Sequence, residues 1–304
     1  MSDTTPSPAN GPALEQAARS WLFAPADSTK KMTKAADGEA DIVLLDLEDS
    51  VAPANKESAR DNVRDFLKDR ADRRRLWVRV NPLDGEWTVA DLAAIMPSAP
   101  GGILLPKARG PADVATLDNY LTAFEAANGL DIGSTRVAAL VTETPASMFT
   151  TGDYAGSPRL AAMSWGAEDL SSALGAQEQW KPDGSYAHPY EMARTLCLYG
   201  AAAAGVAPIE TIQADFRDLE GLRDRARRVR KAGFRGMLAI HPAQVPVINE
   251  AFTPSEEELA HARAVVDAFA ASPGAGTVGL DGQMIDRPHL ALAQALLAGA
   301  APEK

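Results

Sequence analysis

Cysteine is nearly absent: Cys197 is the single one, so neither a disulfide framework nor a cysteine-based metal site is possible. It lies in the apolar run from Leu196 to Ala204, where a small buried hydrophobe is the ordinary reading and a catalytic thiol the exceptional one. Long hydrophobic runs are missing too. The longest apolar stretch, Leu196 to Ile209, is about 14 residues, short of the roughly 20 that a membrane span requires. Positive charge is in deficit, with 30 Lys and Arg against 41 Asp and Glu, a net of -11. Nucleic acid and an anionic membrane both want a cationic face, so neither is expected as a partner. An anionic substrate then needs a local basic patch or a metal. The four histidines, His188, His241, His261 and His289, have no zinc-ligand spacing. Residues 1–18, rich in Ser, Thr, Pro and Asn at the start, have neither the basic flank nor the apolar core of a signal peptide and read as a disordered leader of a cytoplasmic protein.

What is present is an alternation. Short apolar runs at Trp21 to Ala24, Ile42 to Leu47, Leu76 to Val80, Ile103 to Pro106, Val137 to Thr142, Leu160 to Trp165, Ile209 to Gln213 and Met237 to Ile240 are separated by amphipathic helical stretches such as Lys56 to Leu67 and Pro111 to Ala127. Eight such units predict a (β/α)₈ barrel over residues 19–252. The open-sheet alternative expects a glycine-rich turn after the first strand, and Ala24-Pro25-Ala26-Asp27-Ser28 has none. Residues 253–304 are surplus to the barrel and predict a helical lid or oligomerisation extension. The basic run from Arg223 to Lys231 reads as an exposed helix.

In a parallel barrel, catalytic groups sit where strands end. Strand ends here carry Asp46, Glu48 and Asp49, then Arg79 and Asn81, Lys107, Glu143, Glu168 with Asp169, and His241. A single carboxylate after a strand is often only a helix cap. So many around one mouth are costly to bury without a cation or ligand. Glu143 and Asp169 follow consecutive strands, roughly 5 Å apart in backbone spacing, and form a hard oxygen site suited to Mg²⁺. Arg79 presents a planar fork to a substrate carboxylate, with a salt bridge to Asp46 or Glu48 as the alternative. His241 either touches substrate or makes a structural hydrogen bond. Lys30, Lys31 and Lys34 either hold the phosphates of coenzyme A or form a solvated face.

Several segments, in order, carry a resemblance: Arg19-Ser20-Trp21-Leu22-Phe23-Ala24-Pro25, Leu45-Asp46-Leu47-Glu48-Asp49-Ser50-Val51, Val78-Arg79-Val80-Asn81, Leu105-Pro106-Lys107, Thr142-Glu143-Thr144, Gly166-Ala167-Glu168-Asp169-Leu170, Ala239-Ile240-His241-Pro242-Ala243-Gln244 and Met284-Ile285-Asp286-Arg287-Pro288. Together they resemble the HpcH/HpaI aldolase and citrate lyase superfamily, in its citrate lyase β-like, malyl-CoA or citramalyl-CoA lyase branch. The resemblance implies a Mg²⁺-dependent carbon-carbon lyase acting on an acyl-CoA thioester and a 2-oxoacid such as glyoxylate or pyruvate, as a homotrimer or hexamer. It implies Glu143 and Asp169 as metal ligands, Arg79 and Glu48 in the catalytic set, and Asp286 as an acid supplied by a neighbouring subunit. Phe23, Lys34, Glu168, Ile240 and His241 would border the substrate. The rival for Asp286 is a plain helix cap ahead of Arg287 and Pro288. Rival activities are a class II aldolase of free acids, a malyl-CoA-type thioesterase, and a non-catalytic thioester-binding subunit.

Overall fold

The computed structural model describes residues 14–300. Eight parallel strands close into a barrel in sequence order: β1 (Ser20–Pro25), β2 (Ile42–Asp46), β3 (Leu76–Arg79), β4 (Gly102–Leu105), β5 (Arg136–Leu140), β6 (Leu160–Ser164), β7 (Ala207–Glu210) and β8 (Gly236–Ala239). A short helix α1 (Leu14–Ala17) precedes them. Single helices α2 (Thr29–Ala36), α3 (Lys56–Lys68), α4 (Thr88–Ile95) and α5 (Pro111–Ala127) follow β1 to β4, a 3₁₀ turn (Pro145–Phe149) joins β5 to β6, both α6 (Ala167–Leu174) and α7 (His188–Ala204) follow β6, and α8 (Leu219–Ala232) and α9 (Gln244–Phe252) follow β7 and β8. The (β/α)₈ architecture is the expected one.

The period of two along each strand explains both cores. Trp21, Ile42, Leu44, Trp77, Leu104, Ala138, Leu140 and Leu238 fill the lumen, whereas Leu22, Val43, Leu45, Val78, Ile103 and Ala139 pack under the helices. Trp21 and Trp77 meet edge to face at 5.1 Å. Gly102 opens β4 without a side chain because a Cβ there would lie 2.5 Å from the Trp77 ring. Carrying the same inward phase to the strand ends brings Phe23, Asp46 and Arg79 to the mouth. Asp46 and Arg79 are also partners in the β2–β3 register.

At the opposite face, Glu125 of α5 is buried and its carboxylate accepts from Gly133 N and Thr135 N at 2.8 Å and from Arg159 Nη1 at 2.7 Å, tying the entries of β5 and β6 together. Burial disfavours the charge, but Arg159 and the two backbone donors outweigh it and hold the carboxyl at about 2. A depressed carboxyl contributes stability above its unfolded value, lost as pH falls through the folded one. Glu125→Gln is therefore expected to lower the melting temperature at pH 7, with the deficit narrowing as pH drops from about 4.5 towards about 2. Melting curves across that range, wild type beside variant, check it; a deficit independent of pH would leave only a packing role.

Four sequence expectations change. The leader reached residue 18, but Leu14–Ala17 is helical, with Glu15 buried and 3.6 Å from Arg136; residues 1–13 lie outside the described residues. The seventh strand begins two residues earlier than its apolar run suggested, at Ala207, and includes Pro208, which pairs in register with Met163. The helix bearing Arg223 to Lys231 is not fully exposed: Arg225 is buried and bonded to Glu210 at 2.5 Å. Beyond the barrel, the C-terminal unit is not purely helical. It contains α10 (Glu256–Ala270), an antiparallel hairpin of β9 (Thr277–Leu280) and β10 (Gln283–Asp286), and α11 (Arg287–Ala300). Asp281 and Gly282, both left-handed with φ of 49° and 77°, make its two-residue turn. Ser255 and Glu258 form the capping box of α10. Ala262, Val265, Phe269, Ile285 and Ala293 give this unit a core of its own. Residues 301–304 of the expected extension lie outside the described residues.

Candidate active site

The mouth is built on one ion-pair chain. Asp46 accepts side-on from Arg79, with Nε at 2.8 Å and Nη2 at 2.7 Å. The other terminal nitrogen of Arg79, Nη1, lies 2.8 Å from Glu48 Oε2 and 3.6 Å from Asp49. Phe23 lies 4.6 Å from the guanidinium carbon, ring centroid to cation. Lys107 Nζ continues the chain, 2.7 Å from Glu48 Oε1 and 3.3 Å from Asp169 Oδ1. The backbone N–H of Lys107 donates to Glu143 Oε2 at 2.6 Å. That bond depends on Lys107 adopting a left-handed φ of 51°, a conformation that costs a non-glycine residue and is held here by the surrounding contacts.

The charges are not balanced. Burial pushes the Glu143 carboxyl up to about 8, and the negative charges of Glu48 and Asp169 push in the same direction. Burial also raises Glu48, only partly offset by Arg79 and Lys107. Asp46 differs: Arg79 more than compensates its burial and keeps it below the usual carboxylate range. Burial opposes the charge on Arg79, yet Asp46 and Glu48 outweigh it and raise its pKa. The Asp46–Arg79 pair is thus settled, whereas Glu48 and Glu143 have too little positive charge about them.

A second layer fixes the loops. Lys56 reaches from α3 to donate to the carbonyls of Leu47 and Glu48, at 2.6 and 2.7 Å, and to Asn81 Oδ1 at 2.8 Å. Asn81 is held by Asp91, which Arg60 pairs at 2.7 Å. Gly166 is required by Glu143 itself, because a Cβ at that position would lie 2.7 Å from Glu143 Cγ. The sequence placed Lys107 and Asn81 at strand ends without a role, carried Gly166 only within a motif, and did not single out Lys56 or Asp91.

The remaining expected residues divide. Glu168 is exposed in the first turn of α6, its Oε2 accepting from Gln179 at 3.0 Å. His241 stacks on Phe216 at 4.7 Å, and its Nδ1 accepts from Ala243 N. Ile240 is exposed beside it. Lys30, Lys31 and Lys34 are exposed on α2. Asp286 stands apart on the C-terminal unit, with its side-chain bonds confined to His289: Oδ1 lies 2.5 Å from His289 Nδ1 and 3.5 Å from His289 N. Those bonds hold its carboxyl below the usual value. Cys197 is buried, and burial pushes its thiol up, as befits a small hydrophobe.

Residues 19–242 match the family model of the HpcH/HpaI aldolase/citrate lyase. The chain belongs to this family. Among its relatives, a citrate lyase subunit beta-like protein of Mycobacterium tuberculosis is 36% identical over 284 residues, 93% of this chain and 96% of the relative. A (3S)-malyl-CoA thioesterase of Cereibacter sphaeroides is 33% identical over 285 residues, 93% and 94% of the two chains. Among solved family members, the CitE protein of Mycobacterium tuberculosis in complex with magnesium, acetoacetate and coenzyme A superposes with a TM-score of 0.80 at 35% identity, covering 94% of this chain and 99% of that one. Another, the citrate lyase beta subunit of the same organism complexed with oxaloacetate and magnesium, has a TM-score of 0.69 at 35% identity, covering 79% and 99%.

The mouth of this family member fits a magnesium ion. Among the described residues no three His, Cys, Asp or Glu side chains form a ready-made cage. Mg²⁺ does not require one, since it takes one or two carboxylates and fills its octahedron with water and substrate oxygens. The Lys107 ammonium already stands between Glu48 and Asp169, and the Glu143 carboxyl, where burial favours the proton, would ionise beside a divalent cation.

Proposed function

We propose that the chain is a magnesium-dependent carbon-carbon lyase that cleaves, or forms by condensation, a short 3-hydroxyacyl-CoA such as malyl-CoA or citramalyl-CoA, with acetyl-CoA and glyoxylate or pyruvate as the other side of the reaction. The observation that carries this reading is the cluster of Glu48, Glu143 and Asp169 around Lys107 beside Arg79 at the strand-end mouth, with Glu48 and Glu143 both raised by burial. Glu143 and Asp169 would hold the metal, with Glu143 oriented by the Lys107 backbone. When bound, Mg²⁺ supplies Lewis acidity at the oxygen of the carbon undergoing cleavage. Arg79, stiffened by Asp46 and Phe23, turns Nη1 to the oxoacid carboxylate, and Glu48 fixes both Arg79 and Lys107. Lys34, Ile240, His241 and Glu168 rim the opening through which the acyl-CoA enters. The substrate hydroxyl gives up its proton to solvent as its oxygen becomes the oxoacid carbonyl; as the carbon-carbon bond breaks, its electron pair passes to the carbon next to the thioester, and a protonated Asp286 of a neighbouring copy delivers a proton there. This requires a homo-oligomer, a trimer or hexamer, and the acidic surface fits a cytoplasmic enzyme.

Incubating the purified protein with Mg²⁺ and a panel of malyl-, citramalyl-, methylmalyl- and citryl-thioesters tests the reading. Acetyl-CoA together with an oxoacid is the expected product pair, and excess chelator is expected to stop it. Free CoA and a hydroxy acid, with no oxoacid, would replace the lyase by the thioesterase reading that the Cereibacter relatives favour. Cleavage of free hydroxy-oxo acids alone would indicate a class II aldolase. No turnover of any thioester would point to a binding subunit.

Arg79→Lys keeps the charge and loses the side-on pair with Asp46. It is expected to weaken pyruvate or glyoxylate binding by about 1.5 to 3 kcal/mol, the range for hydrogen bonds to charged groups. Calorimetric titration reads it. An unchanged Kd beside a lowered melting temperature would confine Arg79 to a structural pair.

A further inference from the structure

Behind the rim residue Glu168, to which Gln179 bonds, residues 175–187 form a hairpin laid over α7 and α8. It is closed by an antiparallel bridge between Trp180 and Tyr186 and by bonds from Lys181 N to Ser185 O at 2.7 Å and from Ala187 N to Gln179 O at 2.8 Å. Beneath it lies a cavity of about 250 Å³ whose wall includes Trp180, Tyr186, Arg194, Arg225, Arg228 and Phe234. The rings of Trp180 and Tyr186 stack at 4.0 Å, and the Arg225 guanidinium lies 5.1 Å from the Tyr186 centroid.

Its charge is anomalous. Most arginines of this acidic chain are paired, but Arg194 and Arg228 have neither a hydrogen bond nor an ion pair within the described structure, and both line the cavity. Arg225 is 93% buried, since 7% is exposed. Glu210 and the Ile212 carbonyl take its two terminal nitrogens, the Tyr186 side chain also bears on the guanidinium, and Nε itself makes no well-formed hydrogen bond. A buried donor left unpaired is costly and calls for an acceptor. No Asp or Glu is among the lining residues, so none of the described residues supplies a carboxylate to Arg194 or Arg228 there.

We infer that this cavity is a second binding site, distinct from the barrel mouth, for a small carboxylate with a flat apolar body of about the size of benzoate. The volume admits one ring. The exposed Trp180 ring, backed by Tyr186, offers its free face to a flat apolar body, and guanidinium forks match a carboxylate in plane. A single negative charge suffices, because Glu210 already pairs Arg225.

Ligand-observed NMR and calorimetry with benzoate test the assignment, using benzamide as the neutral isostere and acetate as the anion without a body. Benzoate is expected to bind in the millimolar range or tighter, with benzamide and acetate each roughly tenfold weaker or more. The Arg194→Ala, Arg228→Ala double variant loses no hydrogen bond or ion pair, so its melting temperature is expected to match the wild type while benzoate binding falls at least tenfold. Trp180→Phe is expected to remove the change in tryptophan emission on adding benzoate. Absence of benzoate binding, binding that survives the double arginine variant, or equal binding of benzamide or acetate would each overturn the assignment.

Discussion

Glu143→Gln is expected to abolish magnesium-dependent thioester cleavage, by three orders of magnitude or more, which is about 4 kcal/mol of transition-state stabilisation. The substitution isolates charge from shape. Glutamine keeps the length of the side chain and a carbonyl oxygen able to accept from the Lys107 backbone N–H, the bond now made at 2.6 Å. It removes the carboxyl group, whose pKa burial and the neighbouring carboxylates push up to about 8, and with it the negative charge that a bound cation would draw out. The fold has no need of that charge, so the melting temperature should hold or rise. Magnesium titration by calorimetry should lose its heat in parallel with turnover. Activity within tenfold of wild type, still sensitive to chelator, would remove Glu143 from the metal site and leave it as a buried acid.

A second large effect is expected at Asp286. Asp286→Asn should lower turnover by a hundredfold or more, about 2.7 kcal/mol, and inactive Asp286→Asn chains co-assembled with inactive Glu143→Gln chains should regain part of the activity. Restoration follows if one copy's acid serves another copy's metal pair. In the free chain His289 keeps the Asp286 carboxyl low, so the group is a carboxylate there. Docking beside Glu48, Glu143 and Asp169 would change that environment, since the dehydrated, negatively charged mouth that raises Glu143 would also favour a proton on Asp286. Mixed oligomers verified by mass that show no recovery would argue for an acid within the same chain. Near-normal turnover by Asp286→Asn alone would leave it as the cap that its bond to His289 N resembles.

Much of this molecule was legible in the chain because a barrel converts a linear rule into a place. Whatever follows a strand's end arrives at the mouth, so Asp46 and Arg79 on the inward phase, and Glu143 and Asp169 just past their strands, could be collected without knowing a single contact. Pairings across strands were not legible in the same way. Whether Arg79 would meet Asp46 or stay free for a ligand depends on the β2–β3 register, and the structure gives its side-on edge to Asp46. Lys107 was hidden for another reason: its left-handed backbone is imposed by tertiary contacts and is not a conformation lysine signals locally. Lys56 escaped because a lysine in a polar helix normally reads as solvated, whereas this one is folded inward onto two carbonyls. The C-terminal hairpin did carry a signal, the Asp281-Gly282 pair between alternating residues, which the surrounding glycines obscured. The early start of β7 was masked by Pro208, which discourages a strand reading although the ladder accommodates it.

The separate core of the C-terminal unit has a consequence for how its aspartate is delivered. That unit is joined to α9 by residues 253–255 and pinned near its start by Arg19 to Thr253 at 3.0 Å and Arg230 to Glu258 at 2.5 Å, while Ile285, next to Asp286, packs against its own helices. In the proposed assembly it behaves as a rigid arm on a short tether. The supply of acid at a neighbour's mouth is then an effective molarity, on the order of millimolar for a short link, fixed by geometry and unaffected by dilution until the subunits themselves part.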